Sequence, residues 1–209
     1  MKRKFMFAAL CAVLISSCAP TIYMGPGLDR SRATMKVLAI LPFSISIDAK
    51  RLPKGISVET LKESEEKNGY EMQGTCYTWF LQRSNTYTAA FQDVDKTNAI
   101  LKKAGIGYDD IALKDKGELC KLLGVNGIIS GKGTFSKPMS EGGAIAMTVL
   151  IGYGGSTNKI DASLTIHDDN SALLWKFDYS VSGSLGSSAE SVAKALMKKS
   201  SKKFPYKLQ

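Results

Sequence analysis

The chain has 209 residues, 44% of them hydrophobic and 22% charged, with a net charge of +9. That length suits one domain with a sizeable core, and no internal repeat or low-complexity tract interrupts it. A single histidine, scattered acids and cysteines without zinc spacing exclude a metal cluster at the level of sequence, and no cofactor is expected.

Lys2, Arg3 and Lys4 open the chain, and Phe5 to Ile15 follow as an uncharged apolar run of 11 residues. Small Ser16 and Ser17 then suit a cleavage site. The run is too short to span a bilayer, which takes about 20 residues. With Ile15 three places before the cysteine, Leu14-Ile15-Ser16-Ser17-Cys18 resembles the lipobox of bacterial lipoproteins. The resemblance implies thioether lipidation of Cys18, cleavage before it and acylation of the new amino terminus. One fatty chain, at about 0.8 kcal/mol per buried CH₂, gives marginal membrane binding; the three chains of such lipoproteins make the anchor effectively permanent. Ala19 stands where the enterobacterial sorting rule places aspartate for inner-membrane retention, which favours the outer membrane, facing the periplasm. The alternative is an ordinary secretory signal with Cys18 incidental. Residues 1–17 are thus expected as signal, 18–34 as a lipidated tether with Pro20, Gly25, Pro26 and Gly27, and 35–209 as the domain. Losing Lys2, Arg3 and Lys4 lowers the net charge to +6. Nucleic acid is not an expected partner of an exported lipoprotein.

Val37 to Phe43 has the length and composition of a strand buried on both faces, with Pro42 at its exit. Val58 to Gln82 reads as a long helix, with interruptions expected near Gly69 and Gly74. Its Met72, Cys76, Trp79 and Phe80 share one face. Thr86 to Gln92 reads as a short strand. Asp95 is the expected cap of the next helix, which Gly105 closes. Asp115, with Glu118 three residues on, starts another that Gly124 ends. Val125 to Phe135 follows as a strand, with Gly131 and Gly133 thinning one face. Ile160, Ala162, Leu164 and Ile166 alternate with Asp161, Ser163, Thr165 and His167. Asp168-Asp169-Asn170 is turn chemistry, and Leu173, Trp175, Phe177, Tyr179 and Val181 alternate in the return strand, completing a β-hairpin. Ser187 and Glu190 are expected to cap a last helix whose stripe is Ala189, Val192, Ala193, Leu196 and Met197. The order predicts an α/β (α+β) single domain: a mixed sheet, a hairpin in the C-terminal half and covering helices.

The passages KVLAILPF and ELCKLLGVNGIISGKG resemble the family of the curli-secretion lipoprotein CsgG. The match rests on the Pro-Phe ending of the first strand and on Leu123, Gly124, Val125, Ile128 and Gly131. The related group includes the amino-terminal domain of TolB and LpoB, the activator of penicillin-binding proteins. The resemblance implies that fold over most of residues 36–204. It does not choose a function, because the group includes a pore, an accessory subunit and an enzyme activator.

Residues 142–158 are 17 in number and carry no charge. Ala144, Ile145, Met147, Val149, Leu150, Ile151 and Tyr153 are the candidate contact residues. In CsgG, segments of the domain insert into the membrane as hairpins, and one transmembrane strand needs about 9–11 residues. Three readings stay open: packing on the domain's own sheet, a protomer contact in a homo-oligomer, or membrane insertion. Lys198, Lys199, Lys202 and Lys203 form a basic end able to touch anionic lipid or a partner, or simply to complement a helix dipole. Cys76 and Cys120 would be permitted a disulfide in an oxidising periplasm, but both fall on apolar helix faces.

No catalytic residue is expected. His167 lies beside a turn, and nothing in the sequence marks a nucleophile for it. Gly131-Lys132-Gly133-Thr134 lacks the spacing and helix start of a phosphate loop. The chain therefore reads as a non-enzymatic envelope module that binds other envelope proteins. A secretion-channel subunit or accessory and an LpoB-like activator of peptidoglycan synthesis are the alternatives.

Overall fold

The computed structural model describes residues 20–48, 57–136, 159–182 and 188–208. One mixed sheet of seven strands organises them: β1 (Thr21–Met24), β2 (Val37–Ile40), β3 (Ser44–Asp48), β4 (Ala90–Phe91), β5 (Gly127–Ser136), β6 (Lys159–Asp168) and β7 (Leu173–Ser182). Their order is β1-β7-β6-β5-β2-β4, with β3 also pairing β5. β2, β3, β4 and the strands they pair run parallel, whereas β5, β6, β7 and β1 form an antiparallel run. The helices are α1 (Leu28–Thr34), α2 (Val58–Leu81), α3 (Val94–Lys103), α4 (Tyr108–Ile111), α5 (Lys116–Leu123) and α6 (Ala189–Ser200).

The expected alternation sets the two faces. Ile160, Ala162, Leu164 and Ile166 of β6 are buried with Trp175 and Phe177 of β7 against Met72, Cys76 and Phe80 of α2 and the full expected stripe of α6. On the opposite face Ala39, Leu41 and Ile128 meet Leu101 of α3, Ile111 of α4 and Leu119, Cys120 and Leu123 of α5. β2 contributes to both clusters, as its continuous apolar run predicts. The helices of the second face cover only the β2 side of the sheet.

β2 and β3 lie end to end along one edge of β5, separated by a bulge. Ile40 pairs Ile129 and Ser44 pairs Lys132, so three residues, 41–43, face two, 130–131. Pro42, which has no N–H to donate, sits in that bulge. The extra residue shifts the alternation, turning Phe43, Ile45 and Ile47 toward α2 and leaving Ser44 and Ser46 on the other face. Gly131 makes room for the Phe43 ring: a Cβ there would lie 2.1 Å from it. The outer N–H groups of this stretch are taken up in turn. Phe43 N donates to Gly69 O, Ile45 N to the Tyr108 hydroxyl and Ile47 N to Glu65 Oε1.

Several expectations need correction. The tether does not extend to residue 34: Thr21 to Met24 pair with β7, and Leu28 of α1 is buried in the core. The Pro/Gly content that reads as linker instead makes the tight entry, where a Cβ on Gly25 would strike the Leu173 carbonyl oxygen at 2.1 Å. α2 runs unbroken through Gly69 and Gly74. The strand at 86–92 shrinks to Ala90–Phe91 after a 3₁₀ turn. Asp93, not Asp95, caps α3, accepting from the N–H groups of Asp95 and Lys96. Ser188, one residue after the expected cap, accepts from Ser191 N at the start of α6. Trp79 is only partly buried and lies under the Arg83 guanidinium, 4.0 Å away. Asp115 and Gly124 bound α5 as expected, the first accepting from Glu118 N and the second at φ +66°.

Candidate functional site

Register brings the ends of four strands into one row. Asp48 pairs Ser136, Ser136 pairs Lys159 and Lys159 pairs Ser182. Three connections therefore leave the sheet at this one end, 49–56 toward α2, 183–187 toward α6, and 137–158, which alone returns to the sheet. β1 is entered from the direction of the same end. Its first residue, Thr21, faces Asp178, while Met24 faces Trp175, so the chain comes in from the Ser182 side. Cys18 and the uncharged residues Ala144, Ile145, Met147, Val149, Leu150, Ile151 and Tyr153 lie outside the described residues. Of their points of attachment, Ser136 and Lys159 lie in that row, whereas Thr21 lies level with Asp178, four residues short of it, on a strand that the chain enters from that direction.

The basic residues sit at the opposite end. Lys198, Lys199, Lys202 and Lys203 are exposed on the last turn of α6 and the 3₁₀ turn after it. The chain then folds back into the core. Phe204 packs 5.9 Å from the Trp175 ring, and Trp175 is the partner of Met24, the far end of β1. Tyr206 is buried and its hydroxyl lies 2.8 Å from Ser31 Oγ of α1. Phe204 and Tyr206 were missed in the sequence because lysines surround them. Their spacing of two is the sequence signal for an extended segment, and the structure has Lys207 bridged to Tyr87 there.

Cys76 and Cys120 are free thiols. The expected option of a bridge is corrected by topology: one lies in the cluster under α2, the other in the cluster under α5, with the sheet between them. A disulfide needs Cα atoms about 4.4–6.8 Å apart. Burial pushes both thiols up, Cys120 to about 12, so neither is nucleophilic at neutral pH.

The face of β5, β6 and β7 away from α2 is polar and only partly covered. Ser130 pairs Thr165, which pairs Lys176; Lys132 pairs Ser163, which pairs Asp178. α4 and the start of α5 wall one side of this face and close a cavity of about 330 Å³. Lys116, Lys132 and Lys176 line it together with Ser130, Thr165 and His167. His167 is not the solvated turn residue its position suggested. It is half-buried, and burial first, then the neighbouring Lys116, depress its pKa below the ordinary imidazole value. Its Nδ1 and Ser130 Oγ are buried without a hydrogen-bond partner among the described residues. Among the described residues no acid orients the imidazole as a base. Asp168 accepts from Asn170 N and Ala172 N in the turn, and Asp115 accepts from the Ser171 hydroxyl at 2.6 Å and from Glu118 N. Among the described residues no group of three or more metal-ligating side chains converges. No described helix is long and apolar enough to cross a membrane.

No protein-family profile matches the sequence, and no curated protein is significantly similar to it. Among solved structures, a PelC dodecamer from Paraburkholderia phytofirmans is similar at 13% identity and a TM-score of 0.46, over 91% of this chain and 99% of that one. The lipoprotein GNA1162 from Neisseria meningitidis is similar at 13% identity and 0.49, over 80% and 96%. The LpoB C-terminal domain from Salmonella enterica is similar at 11% identity and 0.36, over 70% and 82%. Likeness at these levels carries no argument about function, which rests on the residues themselves.

Proposed function

We propose that this chain is a lipid-anchored lipoprotein of the bacterial envelope, on the outer membrane, that acts without catalysis by binding other envelope proteins close to the membrane. One observation carries the reading: the chain approaches the sheet from the side of the end where the uncharged segment 142–158 leaves and returns, joining it at Thr21 opposite Asp178. Cys18 stands three residues before Thr21, so a lipid on it is held within about 10 Å of β1. That short reach turns the row Asp48, Ser136, Lys159, Ser182 toward the bilayer and keeps the uncharged segment at the membrane surface. The lysines at 198–203 then face away from the lipid, which supports an acidic protein partner for them over anionic headgroups.

The same geometry favours the channel-subunit alternative over the LpoB-like one. β5 and β6 are antiparallel neighbours, so the uncharged segment connects the two arms of a hairpin at the point where a channel subunit would supply a strand to a membrane. An activator whose target lay away from the anchoring membrane would need a longer tether than about 10 Å.

Replacing residues 137–158 by an Asn-Gly turn keeps the register of β5 and β6. The mature protein and this variant are sized in detergent. The reading expects the full chain to run as an oligomer or with a co-purified envelope protein, and the variant to run as a monomer alone. Unchanged assembly and partners in the variant would contradict it.

A further inference from the structure

The cavity on the open face of the sheet is lined by three lysines and, among the described residues, by no carboxylate. Lys132 makes no ion pair among the described residues. Lys116 gives its ammonium to the carbonyls of Ile111 (2.9 Å) and Lys114 (3.0 Å), neither of which neutralises it. Lys176 pairs with Asp178 at 2.8 Å, outside the lining. Burial first, and then the neighbouring Lys132 charge, disfavour the Lys116 ammonium, against a smaller pull from Asp115. Folding has thus gathered like charges from a helix and two strands onto one small concavity, at an electrostatic cost that an anion would relieve. Beside them the Ser130 hydroxyl is buried with no partner among the described residues, next to Thr165, whose own hydroxyl donates to Ser130 O at 3.3 Å, and His167 Nδ1 is likewise unsatisfied. Buried polar atoms left unpaired are costly and call for an explanation. The start of α5 does not supply it, because Gly117 N donates to Ser171 Oγ and Glu118 N to Asp115.

We propose that this cavity binds the phosphate group of a small polar ligand. Ammonium point charges and hydroxyl donors arranged around a volume suit a tetrahedral oxyanion with several acceptor oxygens. A planar carboxylate is better matched by the guanidinium fork, and no arginine lines the cavity among the described residues. A volume of about 330 Å³ fits the lower end of ligand sites, the size of a phosphorylated polyol or sugar. The phosphate comes from a soluble ester or from a lipid headgroup, and both present the same chemistry to these side chains.

The test is calorimetric titration of the detergent-solubilised mature protein with inorganic phosphate, glycerol phosphate and a short-chain phosphatidic acid, with acetate as control. Phosphate is expected to bind in the millimolar range or tighter, and acetate more weakly. Lys132→Gln and Lys176→Gln, both solvent-accessible positions, are each expected to weaken phosphate binding about tenfold with an unchanged circular dichroism spectrum. Tighter glycerol phosphate assigns a soluble ester; tighter phosphatidic acid assigns a headgroup; either supports the site. Absence of binding by all three phosphates, equal binding in both lysine variants, or acetate binding as tightly as phosphate would overturn it.

Discussion

Gly69 and Gly74 stand five residues apart in α2, and the same substitution is expected to move stability in opposite directions at the two. Alanine in a helix interior is favoured over glycine by about 1 kcal/mol. At Gly74 nothing lies within 4 Å of the new Cβ, so Gly74→Ala should stabilise by about 0.5–1 kcal/mol. At Gly69 the Cβ would lie 2.4 Å from the Phe43 carbonyl oxygen and 2.6 Å from the Tyr108 ring and hydroxyl. The first of these is backbone, held by the bulge at Pro42, and cannot rotate aside. Forcing α2 away costs about 1–3 kcal/mol as overpacking. It also stretches the two bonds that reach α2, from Phe43 N to Gly69 O (3.1 Å) and from the Tyr108 hydroxyl to Glu65 O (3.2 Å), each contributing about 1 kcal/mol. After the propensity gain, Gly69→Ala should destabilise by about 2–4 kcal/mol. Urea unfolding followed by far-UV circular dichroism reads both as shifts of midpoint at constant slope. A Gly69→Ala midpoint at or above that of the wild type would refute the close approach of α2 to the bulge.

Three further outcomes follow from side-chain chemistry. Ser171 is a non-glycine residue at φ +63°, and its hydroxyl bonds both Asp115 and Gly117 N. Ser171→Ala should therefore cost about 1–2 kcal/mol, and Ser171→Gly less, because glycine relieves the left-handed backbone while losing the same bonds; thermal melts compare the two. The Ser171 hydroxyl, then the Glu118 N–H, hold the Asp115 carboxyl below its ordinary value. A depressed folded value gives stability that is present above the unfolded carboxylate value, about 3.9, and lost as pH falls through the folded one. Asp115→Asn should accordingly flatten the acid side of the stability–pH curve, read by urea midpoints from neutral pH downward. Finally, Cys76 and Cys120 should resist Ellman's reagent at pH 8 in the native protein and both titrate, without reductant, once it is unfolded; a missing pair of thiols would restore the disulfide.

What was legible in the sequence follows period and local chemistry. The β6–β7 hairpin, the stripe of α6 and the caps at Asp115 and Gly124 depend on neighbours in the chain, and the structure has them where the pattern put them. β1 was not legible. It is four residues long, mostly exposed at the sheet edge, and set among prolines and glycines, so neither burial nor alternation marks it. The bulge at Pro42 was hidden because a run apolar on both faces has no alternation for an extra residue to break. Cys76 and Cys120 show the limit of helix-face reasoning, which finds that each is buried but not that the sheet stands between them. The cavity was illegible for a different reason. Lys116, Lys132, His167 and Lys176 come from a helix and three strands, and each alone reads as a solvated polar position; only the register of β5, β6 and β7 gathers them.

The account stands on the anchor at Cys18 and on the end of the sheet it approaches. Intact mass spectrometry of the protein purified from membranes of its native host measures the first directly. A chain beginning at Cys18, with a diacylglyceryl thioether on its sulfur and an acyl group on its amino nitrogen, is the predicted product. A mature chain that begins elsewhere, or that carries Cys18 as an unmodified thiol, would contradict it.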